Sequence, residues 1–330
     1  MKINAPVSSV KELDMLLHFG ADELYCGFTP PGWETRFGTQ WWVNRRSPVQ
    51  ANLPAWEDLL QIVETAHRAA LKVNITLNAA FYPSAGLRYL VKLAHKLAAD
   101  ARVDGLIVSD FNLLQQLGDE QLPVRLHLSS LGSCFNSRSA DFYRAMGVDR
   151  IILPRQLTLS EIQRLVSGAA GGMEFEVFAV NDGCYFEEGF CQTSHALGPF
   201  CHSRWTPEPC GPAPGGGAGG LNLAGEISAL QRYLWYQNNC GCSHQADGLP
   251  NGPCSLCWFG HFRDWGIDVV KIVGREASFV RKMRSLQLVK AVLGEVEGGA
   301  EPGAVAALAR SLRNTPEYCD SGYMCYFRED

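Results

Sequence analysis

Lys72-Val-Asn-Ile-Thr-Leu-Asn78, a helical stretch from Gly86 to Ala99, and Gly105-Leu-Ile-Val-Ser-Asp110 follow one another with little between them. The first alternates polar and apolar residues with the period of a strand. The second repeats its apolar positions every three to four residues, and the third is the short apolar run of a buried strand. Two strands joined by a helix of this length lie parallel, with the helix as crossover. The pattern continues outward. Glu23-Leu-Tyr-Cys-Gly27, Arg125-Leu-His-Leu-Ser129, Arg150-Ile-Ile-Leu-Pro-Arg155, Glu174-Phe-Glu-Val-Phe-Ala179 and Asp268-Val-Val-Lys-Ile-Val273 read as further strands, with helices over Pro54–Ala70, Asn112–Leu117 and Ser139–Met146. Ser9-Val-Lys-Glu12 and Thr158-Leu-Ser-Glu161 have the form of capping boxes. The first opens a helix that stops at Gly20, the second one that stops at Gly168.

Six units precede a glycine-rich gap and one strand follows it. A further strand near Leu221–Ala224, or near Tyr233–Gln237, would complete eight. The fold class expected is therefore α/β, a TIM-barrel-like (β/α)8 core rather than an open doubly wound sheet. No G-x-G-x-x-G follows a strand and there is no P-loop, which argues against nucleotide cofactors. Residues 1–180 carry the first six units. Residues 181–257 form a cysteine-rich insertion whose Gly/Pro/Ala stretch 211–220 is expected to be a mobile loop. Residues 258–280 hold the last barrel strand, and 281–330 a helical segment and tail.

The 330 residues are 46% hydrophobic, enough for a large core, and carry a net charge of −5. That balance does not favour RNA as a partner, although Arg45–Arg46 and Arg281–Lys282–Arg284 are local basic clusters. Met1-Lys-Ile-Asn-Ala-Pro is not a signal peptide, and no apolar run approaches the roughly 18 residues of a membrane span, so a cytoplasmic location is expected. In a reducing compartment twelve cysteines point to metal ligation, redox chemistry or buried thiols rather than disulfides.

In such a barrel chemistry sits where strands end. Those positions carry Tyr25, Asn78, Asp110, His127, Ser129, Arg155, Asn181, Lys271 and Arg275. Cationic groups, a histidine and amides suit a small anionic ligand or a phosphate-bearing polymer. Each has a plain structural alternative: His127 as a satisfied core residue, Arg155 with Asp110 as an ion pair, Asn78 as a loop cap. Their convergence on one rim favours a site. Cys184, Cys191 and Cys201 lie in loops rich in Gly, Pro, Asn and His, and with one downstream thiol they suit an iron–sulfur cluster. The closer pairs Cys240–Cys242 and Cys254–Cys257 approach zinc spacing and form a candidate zinc site by themselves. Cys26 and Cys134 read as buried thiols. Cys210 has no assigned role, and Cys319 and Cys325 are either tail thiols or ligands of a second metal centre.

Several segments together resemble the peptidase U32, or collagenase-like, family. They are Ala5-Pro-Val-Ser-Ser-Val10 with Phe19-Gly-Ala-Asp-Glu-Leu-Tyr25, Leu126-His-Leu-Ser-Ser130 with Asn136, and Ile152-Leu-Pro-Arg-Gln-Leu-Thr-Leu-Ser-Glu-Ile162. Gly183-Cys-Tyr-Phe-Glu-Glu-Gly-Phe-Cys191 and Gly266-Ile-Asp-Val-Val-Lys-Ile-Val-Gly-Arg275 complete the set, in family order. The resemblance implies a TIM-barrel-like core. It also implies kinship with members that bind a [4Fe–4S] cluster and serve oxygen-independent hydroxylation of ubiquinone precursors or of RNA bases, with prephenate linked to oxygen donation. Carried over, the cluster ligands are Cys184, Cys191, Cys201 and a fourth, Cys254, with Cys240 and Cys257 as alternates. The expected function is hydroxylation of an aromatic small molecule or RNA base. His127, Asp110 and Asn78 are candidate catalytic groups, and Tyr25, Ser129, Asn136, Arg155, Lys271 and Arg275 candidate substrate-binding groups. A U32-type peptidase and a non-catalytic partner of a paralogue are the rival readings. Gln156 and Val273 replace two carboxylates of the family pattern, which suggests a specialised substrate.

Overall fold

The computed structural model describes residues 1–46, 48–181, 223–240 and 243–329. Among the described residues nine strands form one parallel sheet: β1 Lys2–Pro6, β2 Glu23–Phe28, β3 Asn52–Leu53, β4 Lys72–Leu77, β5 Gly105–Val108, β6 Arg125–Leu128, β7 Val148–Ile152, β8 Glu174–Val180 and β9 Val269–Ile272. β1 pairs with β2 on one side and with β9 on the other, so eight strands close into a barrel. The two-residue β3 adds only to the end of β2, at Gly27 and Phe28. This is the TIM-barrel-like fold that the strand–helix alternation predicts.

The eighth strand is not where the sequence placed it. Tyr233–Gln237 lies inside the helix Leu223–Cys240, and the barrel is completed by β1 instead. Leu221 and the loop 211–220 lie outside the described residues. The Thr158 box forms as expected. The Ser9 box does not. Glu12 turns away to accept from the Ser8 backbone at 2.9 Å and to pair with Lys282 at 2.9 Å, and a 3-10 turn precedes the helix Leu13–His18.

Helices cover the outside of the barrel with apolar stripes. In Trp56–Arg68 the buried positions are Leu59, Ile62, Val63 and Ala66, spaced for one face, with Glu57 and Asp58 at the N-terminal end of the dipole. The strands then bury their second face inward, and that inner face is polar. Asn4, Glu23, Asn74, His127, Arg150, Glu176 and Lys271 are all buried. At its centre Arg150 donates to Glu23 at 2.6 and 2.8 Å, to Glu174 at 2.8 and 2.9 Å, and to Glu176 at 3.1 Å. Lys271 reaches Glu176 at 2.6 Å, Asn4 donates to the same carboxylate at 3.2 Å, and Asn74 to Glu23 at 3.2 Å. Gly105 makes room for this packing: a Cβ there would stand 2.5 Å from Asn74 Oδ1. The described C-terminal part runs through helices Phe279–Glu297, Pro302–Arg313 and Pro316–Ser321. The tail then returns to the barrel, where Leu159 donates to the Arg328 carbonyl at 3.0 Å.

Candidate functional site at the barrel mouth

Above the charged interior, at the C-terminal ends of the strands, the character changes. Gly274 takes a φ of +103°, the region that favours glycine, and Arg275 follows it. The Arg275 guanidinium is buried, with Nη1 on Asn52 Oδ1 at 3.2 Å and Thr76 Oγ1 at 2.9 Å, and Nη2 on Asn44 Oδ1 at 2.8 Å. Gly27 is required beneath it, because a Cβ there would overlap both Arg275 and Asn52. All three acceptors are neutral. Burial pulls the Arg275 pKa below its ordinary value, with the Tyr25 and Glu276 charges opposing and Arg46 adding to the pull. A buried cation without a hydrogen-bonded carboxylate is a standing electrostatic debt that an anionic ligand would settle.

Around the mouth several polar atoms are buried with no partner among the described residues: Asn78 Oδ1, both ring nitrogens of His127, Oε1 and Nε2 of Gln156, and Asn181 Oδ1. They follow or lie on β4, β6, β7 and β8, of which the last three are consecutive in the closed sheet and β4 is separated from them by β5. Buried polar atoms are nearly always satisfied, so such a set marks a place for water or ligand. Asn181 also has φ +75°, and its amide donates to Val273 O at 3.3 Å and Ser285 Oγ at 3.0 Å. Such backbone strain in a non-glycine residue is a feature of functional rims.

The predicted residues divide clearly. Asn78 and Ser129 meet past the ends of β4 and β6, where Asn78 Nδ2 donates to Ser129 Oγ at 3.2 Å, and Arg275 sits in its own cradle; His127 lies on the inner face beside Gly105. Burial, and then the charges of Arg150, Arg125, Lys271 and Lys72, hold the His127 pKa well below 6.5, so it is a neutral imidazole. Lys271 belongs to the interior instead. It is paired to Glu176, and its ammonium lies 3.9 Å over the Tyr25 ring. Tyr25 donates to Ile272 O at 3.0 Å, and burial raises its pKa. Asp110 caps the helix Phe111–Glu120 through Leu113 N at 2.8 Å and also accepts from Tyr82 N at 3.1 Å. Asn136 caps the helix Ser137–Ala145 and is exposed. Arg155 stacks 3.9 Å over the Phe178 ring. Cys184, Cys191, Cys201, Cys210 and Cys242 lie outside the described residues, as does the side chain of Cys240. Cys254 and Cys257 are described. Cys254 accepts from Arg313. Asn44, Asn52 and Thr76, the cradle of Arg275, were not singled out in the sequence. Two of them come from a loop and a two-residue strand, with no periodic signal.

The fold defines a closed parallel α/β barrel with a buried guanidinium, Arg275, just past the end of β9. The profile of Peptidase family U32 matches residues 8–204, and the chain belongs to that family. It is 25% identical over 209 residues to tRNA hydroxylation protein P1 of Bacillus subtilis (strain 168), covering 61% of this chain and 45% of that protein. Against tRNA hydroxylation protein P of Escherichia coli (strain K12) the figures are 26% over 190 residues, 58% and 38%. Against the 23S rRNA 5-hydroxycytidine C2501 synthase of Escherichia coli (strain K12) they are 27% over 186 residues, 56% and 24%. The chain thus spans less than half the length of these relatives. Among solved structures, the U32 peptidase Mk0906 aligns with a TM-score of 0.43 at 16% identity, over 54% of this chain and 68% of that one. Among the described residues no helix is long and apolar enough to cross a membrane.

Proposed function

We propose that the chain takes part in oxygen-independent hydroxylation of a base in RNA, with an anionic oxygen donor held at the barrel mouth. The observation that carries this reading is Arg275, a buried guanidinium fixed by Asn44, Asn52 and Thr76 and, among the described residues, hydrogen-bonded to no carboxylate. Turning an aromatic C–H into C–OH without molecular oxygen requires an oxygen source and an acceptor for two electrons, and one oxygen-donating co-substrate can be both. A carboxylate-bearing donor of the prephenate kind, which the family resemblance suggests, would find its charge matched at Arg275. The neutral His127 would accept a hydrogen bond, and Asn78, Ser129 and Gln156 would orient the remaining polar groups. RNA as acceptor comes from the names of the relatives, and it outweighs the mild net charge of −5, which the sequence alone set against it.

The unsatisfied polar atoms around the mouth fit a bound group, and the last described residue before the cysteine-rich segment, Asn181, stands among them. Cys184, Cys191 and Cys201 are thiols of the kind an iron–sulfur cluster takes. Cys254, which accepts from Arg313 as a cluster thiolate would, is the fourth ligand in this proposal, with Cys240 and Cys257 as alternates. When bound, such a cluster supplies a Lewis-acid or electron-relay centre. The test is mass spectrometry of nucleosides from total tRNA and rRNA of a deletion strain grown without oxygen. We expect one nucleoside to lose an oxygen atom on deletion, and to regain it with the wild-type chain but not with Arg275→Gln. An unchanged nucleoside profile on deletion would overturn RNA as the acceptor.

A further inference from the structure

One connection leaves the C-terminal end of β2 for β3, and another leaves the C-terminal end of β4 for the helix Ser84–Lys96. Both therefore stand at the mouth, and each carries an aromatic side chain. Trp41 comes from the first and Phe81 from the second, with ring centroids 5.5 Å apart and planes at 83°. The two loops are fixed to each other and to the cradle of Arg275. Tyr82, buried next to Phe81 in the chain, donates its hydroxyl to Val43 O at 2.6 Å and accepts from Ala79 N at 3.0 Å. Trp33 Nε1 donates to Trp41 O. Further along the same loop, Asn44 accepts from Arg275 Nη2 at 2.8 Å and donates to Asn52 Oδ1 at 2.8 Å. The chain from Trp41 to Asn44 spans at most about 11 Å, so the Trp41 backbone stands within that distance of the cradle.

The loops do not need this pair as an anchor. Trp33, Val43 and Tyr82 are buried and hold them down, whereas Phe81 is 42% exposed and Trp41 half-buried. A ring left in water forgoes the stabilisation its burial would give. The edge-to-face contact fixes both ring planes. The neighbourhood is also cationic. Arg45 and Arg46 follow Asn44, and Arg46 N donates to Asn44 Oδ1 at 3.1 Å. Against these two and Arg275 stand Glu276, 3.8 Å from the Arg46 guanidinium, and Asp110, whose carboxylate is taken up by the backbone amides of Tyr82 and Leu113. An open aromatic ring with arginines beside it matches a nucleotide: the base stacks on the ring and the phosphate meets the cations.

We propose that Trp41 and Phe81 are the platform on which an unpaired base of the RNA substrate stacks, beside the base presented to Arg275. The inference rests on the RNA-hydroxylation reading for its substrate class and names the residues that hold that substrate. Every base has a stacking face, so the platform would grip the strand without selecting its sequence, and the choice of the reacting base falls to the polar groups of the mouth. Because both loops are tied to the Arg275 cradle, a base held on the platform fixes where its neighbour enters.

The test is binding of a single-stranded RNA of about 12 nucleotides, of mixed sequence and carrying 2-aminopurine, to the purified full chain. Stacking on an aromatic ring quenches 2-aminopurine, a signal that a purely structural role for Phe81 would not move. We expect quenching by the wild type and binding by Phe81→Tyr within about twofold of it. Phe81→Leu keeps apolar bulk but has no ring, and should bind roughly tenfold more weakly with the quenching lost. Leu60→Ala, on the outer helix Trp56–Arg68, should bind as the wild type does. Wild-type affinity and quenching in Phe81→Leu, an equal loss in Leu60→Ala, or a wild type that leaves the probe unquenched overturns the proposal. Should Phe81→Leu not fold, ultraviolet crosslinking of the wild type to the same RNA decides: adducts at Trp41 or Phe81 support the platform, and adducts confined to other residues overturn it. Weakened binding in Phe81→Leu with an unchanged nucleoside profile on deletion keeps the platform and removes the hydroxylation. Normal binding in Phe81→Leu, with a nucleoside that loses its oxygen on deletion, removes the platform alone.

Discussion

Arg150 and Arg275 are both buried inside the same barrel, one at its centre and one at its mouth, and their surroundings are opposite. Arg150 is held by the carboxylates of Glu23, Glu174 and Glu176. Arg275 is held by two amides and a hydroxyl. The first is a closed system whose charges answer each other. The second presents charge that no described residue hydrogen-bonded to it neutralises. Burial alone therefore says little about the role of an arginine, and its counter-ions say most.

The largest expected effect lies at the centre. Arg150→Met leaves three carboxylates facing one another, and stability should fall by about 3–5 kcal/mol in denaturant unfolding. A loss below about 1 kcal/mol would show that the network is not held by Arg150. At the mouth the order reverses. Arg275→Gln removes an uncompensated charge and leaves neutral neighbours able to bond each other, so unfolding should change little. Hydroxylation should drop about 10–100-fold, the equivalent of one charge-assisted contact of about 1.5–3 kcal/mol. If Arg275→Gln instead unfolds as readily as Arg150→Met, the two arginines have the same structural role.

The smallest effect is a pH dependence. His127 has a folded pKa depressed below 6.5, so its contribution is fully present above 6.5, where neither state binds the proton. Below 6.5 the unfolded imidazole takes a proton that the buried one refuses, and stability falls by at most about 1.4 kcal/mol per pH unit. Glu23 and Glu174, held below their usual 4.5 by Arg150 and Arg125 against the upward push of burial, weaken the fold only in stronger acid. His127→Gln should flatten the stability curve just below pH 6.5. An unchanged slope in that variant would assign the acid sensitivity elsewhere.

The barrel was legible because helix and strand periods alternate so regularly from residue 54 onward. What misled was the meaning of polarity in the strands. Lys72-Val-Asn-Ile-Thr-Leu-Asn78 alternates as a sheet with one wet face would, yet both faces are buried from Val73 to Leu77. Its polar side chains point into the barrel and meet other polar side chains. β1 was obscured for the same reason: Asn4 is an interior residue bonded to Glu176, and in sequence it breaks the apolar run of a strand. The rim residues could be found by their place after strands, which brought out Asn78, Ser129 and Arg275. Whether a cation there was compensated could not be read, because Glu176 answers Lys271 from 95 residues away. The cysteines show the same limit. Spacing joined Cys254 to Cys257, and only the fold set Cys254 beside Cys325.

The closure of the barrel through β1 also bears on how the chain is made. Lys2 pairs with Val269, so β1 meets its final partner only after some 267 further residues exist. At a synthesis rate of roughly 5–20 residues per second, that wait is on the order of 10–50 s. Through it, the growing sheet exposes an unpaired edge at β1 and another at its newest strand, surfaces on which a neighbouring chain could add. The half-made barrel is thus the stage most open to edge-to-edge association, and the pairing of β1 with β9 is the event that closes it.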